Sequence, residues 1–311
     1  MSFIVIVLVT LKNVIYGLSI FFTGNLLEQV DVLDILALRF LMSFVALWLL
    51  KVTRVLHIEV GIKDIVRRTP HTPYILPLLL AGLFEPVLYM AFETIGVSMT
   101  TDITAGVILS LSPIFSCINE TIFLKEKSSL LQKVFLGIGI VGVMYIALNT
   151  DTNDGQNTVV GILCMFLAVI SGTLYSVFSR KSTRHFRTFD ITYVTCMMGT
   201  VIFNVINVVR HLVDGDILQY FAPLADGQNL IGFVYLSILS TIAATAMNNY
   251  ALGRAQVSTL AAFGGVSTLV TIAAGILLHH EPLYTYQIIG IILIVIRMVG
   301  VSYTDMRKKG S

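Results

Sequence analysis

Long apolar runs separated by short polar stretches make up nearly the whole of this chain. The runs fall near residues 3–26, 33–53, 74–97, 103–124, 133–150, 158–180, 190–212, 229–251, 257–278 and 283–304. Each is about 20 residues long, enough to cross a hydrocarbon layer of roughly 30 Å as a helix. The stretch "IGIILIVIRMVGVSY" (289–303) is continuously apolar, as a lipid-facing helix is, whereas a barrel strand would alternate. The pattern therefore predicts an all-α membrane protein with ten transmembrane helices. Composition agrees, with 56% hydrophobic and 12% charged residues in 311. The longest loop, about 54–73, is too short to hold a soluble domain.

Charge orients these helices. If the first begins in the cytoplasm, the inside segments 51–73, 125–133, 180–189, 252–256 and the tail after 304 carry 16 of the 20 Lys and Arg residues. The opposite loops hold Glu28, Asp31, Asp34, Asp102, Asp151, Asp154, Asp214, Asp216, Asp226 and Glu281 and no basic residue. The positive-inside rule then places both termini in the cytoplasm. The basic residues are spread over five segments and form no stripe, so nucleic acid is not an expected partner. The opening "MSFIVIVLVTLKNVIYG" has no basic n-region and no small-residue cleavage site, and is expected to remain as the first span. Cys117, Cys164 and Cys196 lie in separate spans and read as small apolar packers. No HExxH or GxSxG constellation supports a membrane-embedded enzyme, and "GIGIVG" (137–142), with no strand before it, reads as close helix packing. No cofactor or metal is called for. The adjacent His279 and His280 with Glu281 point different ways on a helix and fit an outer helix end.

A shift of 155 residues sets "SLSPIFSCINETIFLKEKSSLLQ" (110–132) on "GGVSTLVTIAAGILLHHEPLYTYQ" (264–287), aligning Ser112 with Ser267, Glu126 with Glu281 and Gln132 with Gln287. Each half holds five spans, and an odd number inverts the second half relative to the first. The expected organisation is two inverted five-helix repeats, 1–150 (helices 1–5) and 156–306 (helices 6–10), meeting around a site near the bilayer midplane.

"NVIYGLSIFFTGNLL" (13–27) followed by "LDILALRFLMSFVALWLL" (33–50) resembles the opening helix pair of the drug/metabolite transporter superfamily, in its ten-helix form built of two EamA domains. Tyr16-Gly17 stands where that family often has Trp-Gly, and Arg39-Phe40 carries its recurrent Arg. The ends "IFLKEKSSLLQ" (122–132) and "ILLHHEPLYTYQIIG" (276–290) look like its repeated signature of an apolar run, Glu and then Gln. The resemblance covers about 5–303. It implies an alternating-access carrier of small metabolites, often an exporter, with a cavity lined by helices 1–4 and 6–9 and with helices 5 and 10 peripheral.

Within "LFEPVLYMAFETIG" (83–96), Glu85, Tyr89, Phe92, Glu93 and Gly96 share one helical face. Charge at mid-membrane costs roughly 2.5–3.5 kcal/mol even on lenient scales, so such groups normally face a cavity or a partner. Carboxylates interleaved with rings suit a cation. Withdrawal from water disfavours charge on a carboxyl group, which would suit exchange of a proton for substrate at Glu85. The plain alternatives are a structural tie of Glu85 to Lys12 or Arg39 and a hydrated Glu93 at the outer interface. Pro86 removes a helical donor and predicts a local break. Asn248 and Asn249 are candidates for a substrate's polar groups or for ordinary interhelical bonds. Lys12, with Tyr16 one turn on, suits a carboxylate or a structural pair. Arg39 is expected to snorkel to the outer surface, Arg210 and His211 to end span seven, Arg297 to lie on a peripheral helix, and Glu120 to pair locally with Lys125 or Lys127.

These features favour a carrier of a small polar metabolite such as an amino acid or amine, with protons coupled through Glu85. The alternatives are a carrier of anions such as nucleotide sugars or sugar phosphates, which would call for clustered midplane Arg and Lys, and a membrane scaffold or lipid scramblase. The expected setting is the lipid bilayer of a prokaryotic cytoplasmic membrane, as a monomer or homodimer.

Overall fold

The structure, a computed structural model, describes residues 3–59, 74–125, 130–149, 158–278 and 283–310. It is helical, with no strand among the described residues. The helices are α1 (Phe3–Leu27), α2 (Val32–Val52), α3 (Ile75–Val97), α4 (Thr104–Leu124), α5 (Leu130–Asn149), α6 (Val159–Ser182), α7 (Thr188–Asp214), α8 (Gly227–Leu252), α9 (Val257–Ala262), α10 (Gly265–Leu278) and α11 (Thr285–Gly310). Among the described residues seven of these, α1–α4 and α6–α8, are long and apolar enough to cross a bilayer. The stretch predicted as one span over 257–278 is divided at Phe263-Gly264 into α9 and α10. Glu126, His279, His280 and Glu281 lie outside the described residues.

Local chemistry sets the helix ends. Asp31, Thr101, Thr158 and Asp226 each accept a backbone N–H in the first turn of α2, of the α4 segment, of α6 and of α8, contacts typically worth about 1 kcal/mol apiece. At the far end of α7 the chain reverses through Gly215, whose φ of 76° only glycine adopts without strain. Gln287, aligned with Gln132 in the sequence, accepts the Tyr284 N–H at the start of α11. Its place in the repeated signature is thus a helix-start contact.

α3 packs along α6 and α8 along α1; α4 lies against α6 and α10 against α1; α2 faces α7, with α2 also on α8 and α7 also on α3. α5 and α11 pair chiefly with each other. Exchanging α1–α5 with α6–α11 maps this set of pairings onto itself. Small residues permit the closest approaches. A Cβ on Gly17 would sit 2.7 Å from the Ser267 carbonyl oxygen and from the Val270 Cβ, and one on Gly142 would sit 2.8 Å from the Leu293 Cβ. Of the glycines in "GIGIVG", Gly139 and Gly142, which face Arg297 and Leu293, therefore serve the α5–α11 contact.

Two charged residues are placed otherwise than their sequence positions suggest. Arg39 does not reach the surface: it is 1% exposed and held between α2 and α8. Arg297 is also 1% exposed and donates to the Ser110 carbonyl at a turn within α4. Glu120 pairs with Arg180 at 3.1 Å and accepts the Val257 N–H at 2.6 Å, joining α4, α6 and α9; Lys127, one of the partners expected from sequence, lies outside the described residues. Arg210 and His211 do end the α7 span, where both bind Asp34 of α2, at 2.7 and 2.9 Å.

Gly17→Ala is expected to cost about 1–3 kcal/mol through overpacking. Gly137→Ala, with nothing within 4 Å of its Cβ, should be neutral or stabilising by up to about 1 kcal/mol. Melting temperatures of the two variants in detergent check the contrast, and equal losses would contradict the packing described.

Candidate functional site

A cavity of about 150 Å³ lies between α1, α3, α4, α6, α8 and the α9–α10 segment. Order along the helices fixes its limits. Beyond Ser19 on α1 and Glu93 on α3, Ile20 and Val97 join Ile108, Met165 and Ile272 in an apolar cluster. Below Lys12 on α1 and Asn248 on α8, Val9 and Leu252 join Val257 and Leu260 in another. The polar lining is thus bracketed by two greasy layers. α2 and α7 contribute no lining residue and stand behind α3 and α8, a correction to the arrangement expected from the resemblance.

The break in α3 aims its polar face. At Glu85 the backbone leaves helical geometry (φ −142°, ψ 116°), and the Glu85–Pro86 peptide is cis. Downstream, the Tyr89 N–H reaches back five residues to the Phe84 carbonyl, a widened turn of the kind that recurs at functional sites. Glu85, Tyr89 and Glu93, spaced by four, all line the cavity. Phe92 does not, because it lies about 100° around the helix from Glu93. Gly96, on the same predicted face, packs against Met165 of α6.

Glu93 is 5% exposed and accepts a hydrogen bond from the Tyr89 hydroxyl at 2.5 Å. This replaces the hydrated interfacial carboxylate that remained open from sequence. Glu85 is half-buried, and no side-chain hydrogen bond holds it among the described residues. Lys12 donates to Asn248 Oδ1 at 2.7 Å and lies 5.5 Å from the centre of the Tyr16 ring. It forms no structural salt bridge to Glu85. The Tyr16 hydroxyl is 3.2 Å from Thr245 Oγ1.

Asn248 and Asn249 diverge as adjacent helical residues must. Asn248 faces the cavity. Asn249 is fully buried elsewhere, accepting from Tyr175 at 2.6 Å and Ser179 at 2.7 Å and donating to Thr192 at 3.1 Å, so it ties α8 to α6 and α7. Of the sequence-predicted site residues, the cavity therefore gathers Lys12, Tyr16, Glu85, Tyr89, Glu93 and Asn248, and leaves out Phe92 and Asn249. Sequence reasoning missed the hydroxyl side chains of the wall, among them Ser112, Ser116, Thr173, Ser176 and Ser240. A lone Ser or Thr in an apolar span carries no signal that separates a cavity wall from ordinary helix packing.

With this geometry in place, comparison with known proteins is informative. A family model described as the EamA-like transporter family matches residues 3–148 and again 159–303. The chain belongs to the EamA-like transporter family. It is 31% identical over 299 residues to the uncharacterized transporter YcxC of Bacillus subtilis (strain 168), covering 96% of this chain and 92% of that one. An uncharacterized transporter of Archaeoglobus fulgidus is 25% identical over 73% of this chain and 76% of its own. A solved crystal structure aligns over 96% of this chain and 97% of its own with a TM-score of 0.67 at 17% identity, a likeness of fold alone. The protein is an integral membrane transporter. Family and relatives are transporters and not enzymes.

Asn249→Ala would leave buried hydroxyl groups without partners, at about 1–3 kcal/mol, and is expected to lower the melting temperature more than Asn248→Ala. Asn248→Ala should instead change solute affinity. Thermal melts and solute binding by both variants check this; the reverse order of thermal losses would contradict the assignment.

Proposed function

We propose that this EamA-family protein is an alternating-access secondary carrier of a small polar metabolite, such as an amino acid or amine. In this reading ten spans form two inverted five-helix repeats, 1–150 and 156–306, with both termini in the cytoplasm of a prokaryotic cell. The self-mapping helix pairings and the acidic and basic loop asymmetry support that organisation. A cavity bracketed by two apolar layers is what a carrier needs, since opening either layer alone gives access from one side.

The observation that carries the substrate reading is the lining itself: two carboxylates, two phenols and one ammonium among serine and threonine hydroxyls. Glu85 and Glu93 offer charge to a cationic group, and Tyr16 and Tyr89 offer ring faces. Lys12 offers charge to a carboxylate. A nucleotide sugar or sugar phosphate fits less well. Among the described residues Lys12 is the single basic residue in the lining, and about 150 Å³ is below the roughly 300–1,000 Å³ of pockets for larger ligands. Glu85, which makes no side-chain hydrogen bond among the described residues, is the group this reading assigns to trade a proton for substrate.

The test is counterflow in liposomes with amino acids, amines and nucleotide sugars, with wild type and Glu85→Gln compared under an imposed pH gradient. Wild-type flux is expected to follow the gradient, and Glu85→Gln to lose that dependence or its flux by about tenfold or more. A mutant that matches wild type in rate and pH dependence sinks the role of Glu85.

A further inference from the structure

We propose that Arg39, which does not itself line the cavity, sets the charge balance of the site and so makes it select solutes of zero net charge. The proposal rests on the carrier reading above and names the charge class of its substrate.

Four ionisable side chains bear on the cavity: Lys12, Arg39, Glu85 and Glu93. Among the described residues none of them is ion-paired to another. Three of the charges, those of Lys12, Arg39 and Glu93, are instead parked on neutral groups, and Glu85 faces the cavity. Lys12 donates to the Asn248 amide oxygen at 2.7 Å, and Glu93 accepts from the Tyr89 phenol at 2.5 Å. Arg39 donates from Nε to Thr241 at 2.8 Å and from Nη2 to Ser240 at 3.0 Å. Ser240 lines the cavity, so the guanidinium sits one hydroxyl group behind its wall.

The surrounding lattice holds Arg39 in place. Ser43 and Ser237 both donate to the Arg39 carbonyl, at 2.7 and 3.0 Å, and Ser43 also bonds the Ser237 carbonyl across to α8. Thr241 in turn donates to the Leu236 carbonyl, five residues back in the widened turns of α8. The guanidinium itself is held by its two hydroxyl partners, Thr241 and Ser240. Its field nonetheless reaches Glu93, Glu85, Tyr89 and Tyr16.

The formal charges of the four groups sum to zero. In a medium screened far less than water, a solute carrying net charge would unbalance that sum, whereas a solute with separated opposite charges can meet Lys12 and Glu85 together. Without Arg39 the sum becomes −1, and cations gain. Without the Glu93 charge it becomes +1, and anions gain. By Coulomb's law, a unit charge acting over a distance on the order of 10 Å at an effective dielectric near 20 is worth about tenfold in relative affinity.

The test uses three probes of similar size: alanine, propylamine and propionate. Their affinities are ranked by thermal stabilisation of the detergent-purified protein, a readout that needs no transport. Wild type and Arg39→Lys are expected to prefer alanine. Arg39→Gln should raise propylamine over propionate by about tenfold or more, and the double variant Arg39→Gln with Glu93→Gln should restore the wild-type order. An unchanged order in Arg39→Gln, or a double variant as shifted as the single, overturns the proposal. Should Arg39→Gln fail to fold, Glu93→Gln alone carries the test, with a shift toward propionate expected and an unchanged order overturning it. Alanine counterflow into liposomes is measured alongside. Intact rankings without counterflow sink the carrier reading and leave the charge assignment standing.

Discussion

Hydrocarbon does not solvate charge, and this constraint shapes the molecule. Of the 20 basic residues, 16 fall in the segments predicted from sequence to lie on the inside of the membrane. The other four, Lys12, Arg39, Arg210 and Arg297, fall within the predicted spans, and each is bound by hydroxyl, amide, carbonyl or carboxylate oxygen. Three carboxylates within the bundle each have their own answer: Glu93 to a phenol, Glu120 to Arg180 and a helix start, Asp34 to Asn207, Arg210 and His211. Glu85 stands apart in facing the cavity with no side-chain hydrogen bond among the described residues.

Two kinds of polar contact follow, and they divide the work. One kind ties helices together: Asn249 across α6, α7 and α8, and Asp34 across α2 and α7. The other faces open space. Because hydrogen bonds inside a membrane bundle contribute only modestly each, small-residue packing carries the rest, as where Gly17 meets Ser267 and Gly142 meets Leu293.

How much of this could be read from residues alone depends on what each residue's neighbours in space had to decide. Helix positions were legible, since a span needs only length and apolarity, and the break at Pro86 followed from its missing donor. Lys12, Tyr16, Glu85, Tyr89 and Asn248 were legible as unusual residues in apolar runs. Phe92 was placed on the wrong face, and Asn249 stayed open between cavity and interhelical roles, because helical phase is set to about 100° per residue, and a widened turn or an unknown neighbour decides which of two adjacent residues looks inward. Arg39 was misread because its partners, Ser240 and Thr241, lie some 200 positions away in sequence and are individually unremarkable.

The contact of Glu120 with the start of α9 makes one helix conditional on others. α9 spans six residues, and Gln256 at its N-cap makes no side-chain cap bond of its own. The cap comes from Glu120 on α4, which Arg180 of α6 holds in place. A helix this short is marginal by itself, so its first turn is a property of three chain segments meeting and not of its own sequence. Any rearrangement that draws the ends of α4 and α6 away from residue 257 uncaps that turn and frees it to unwind. The same residues that wall the cavity at that end would then lose their fixed positions together.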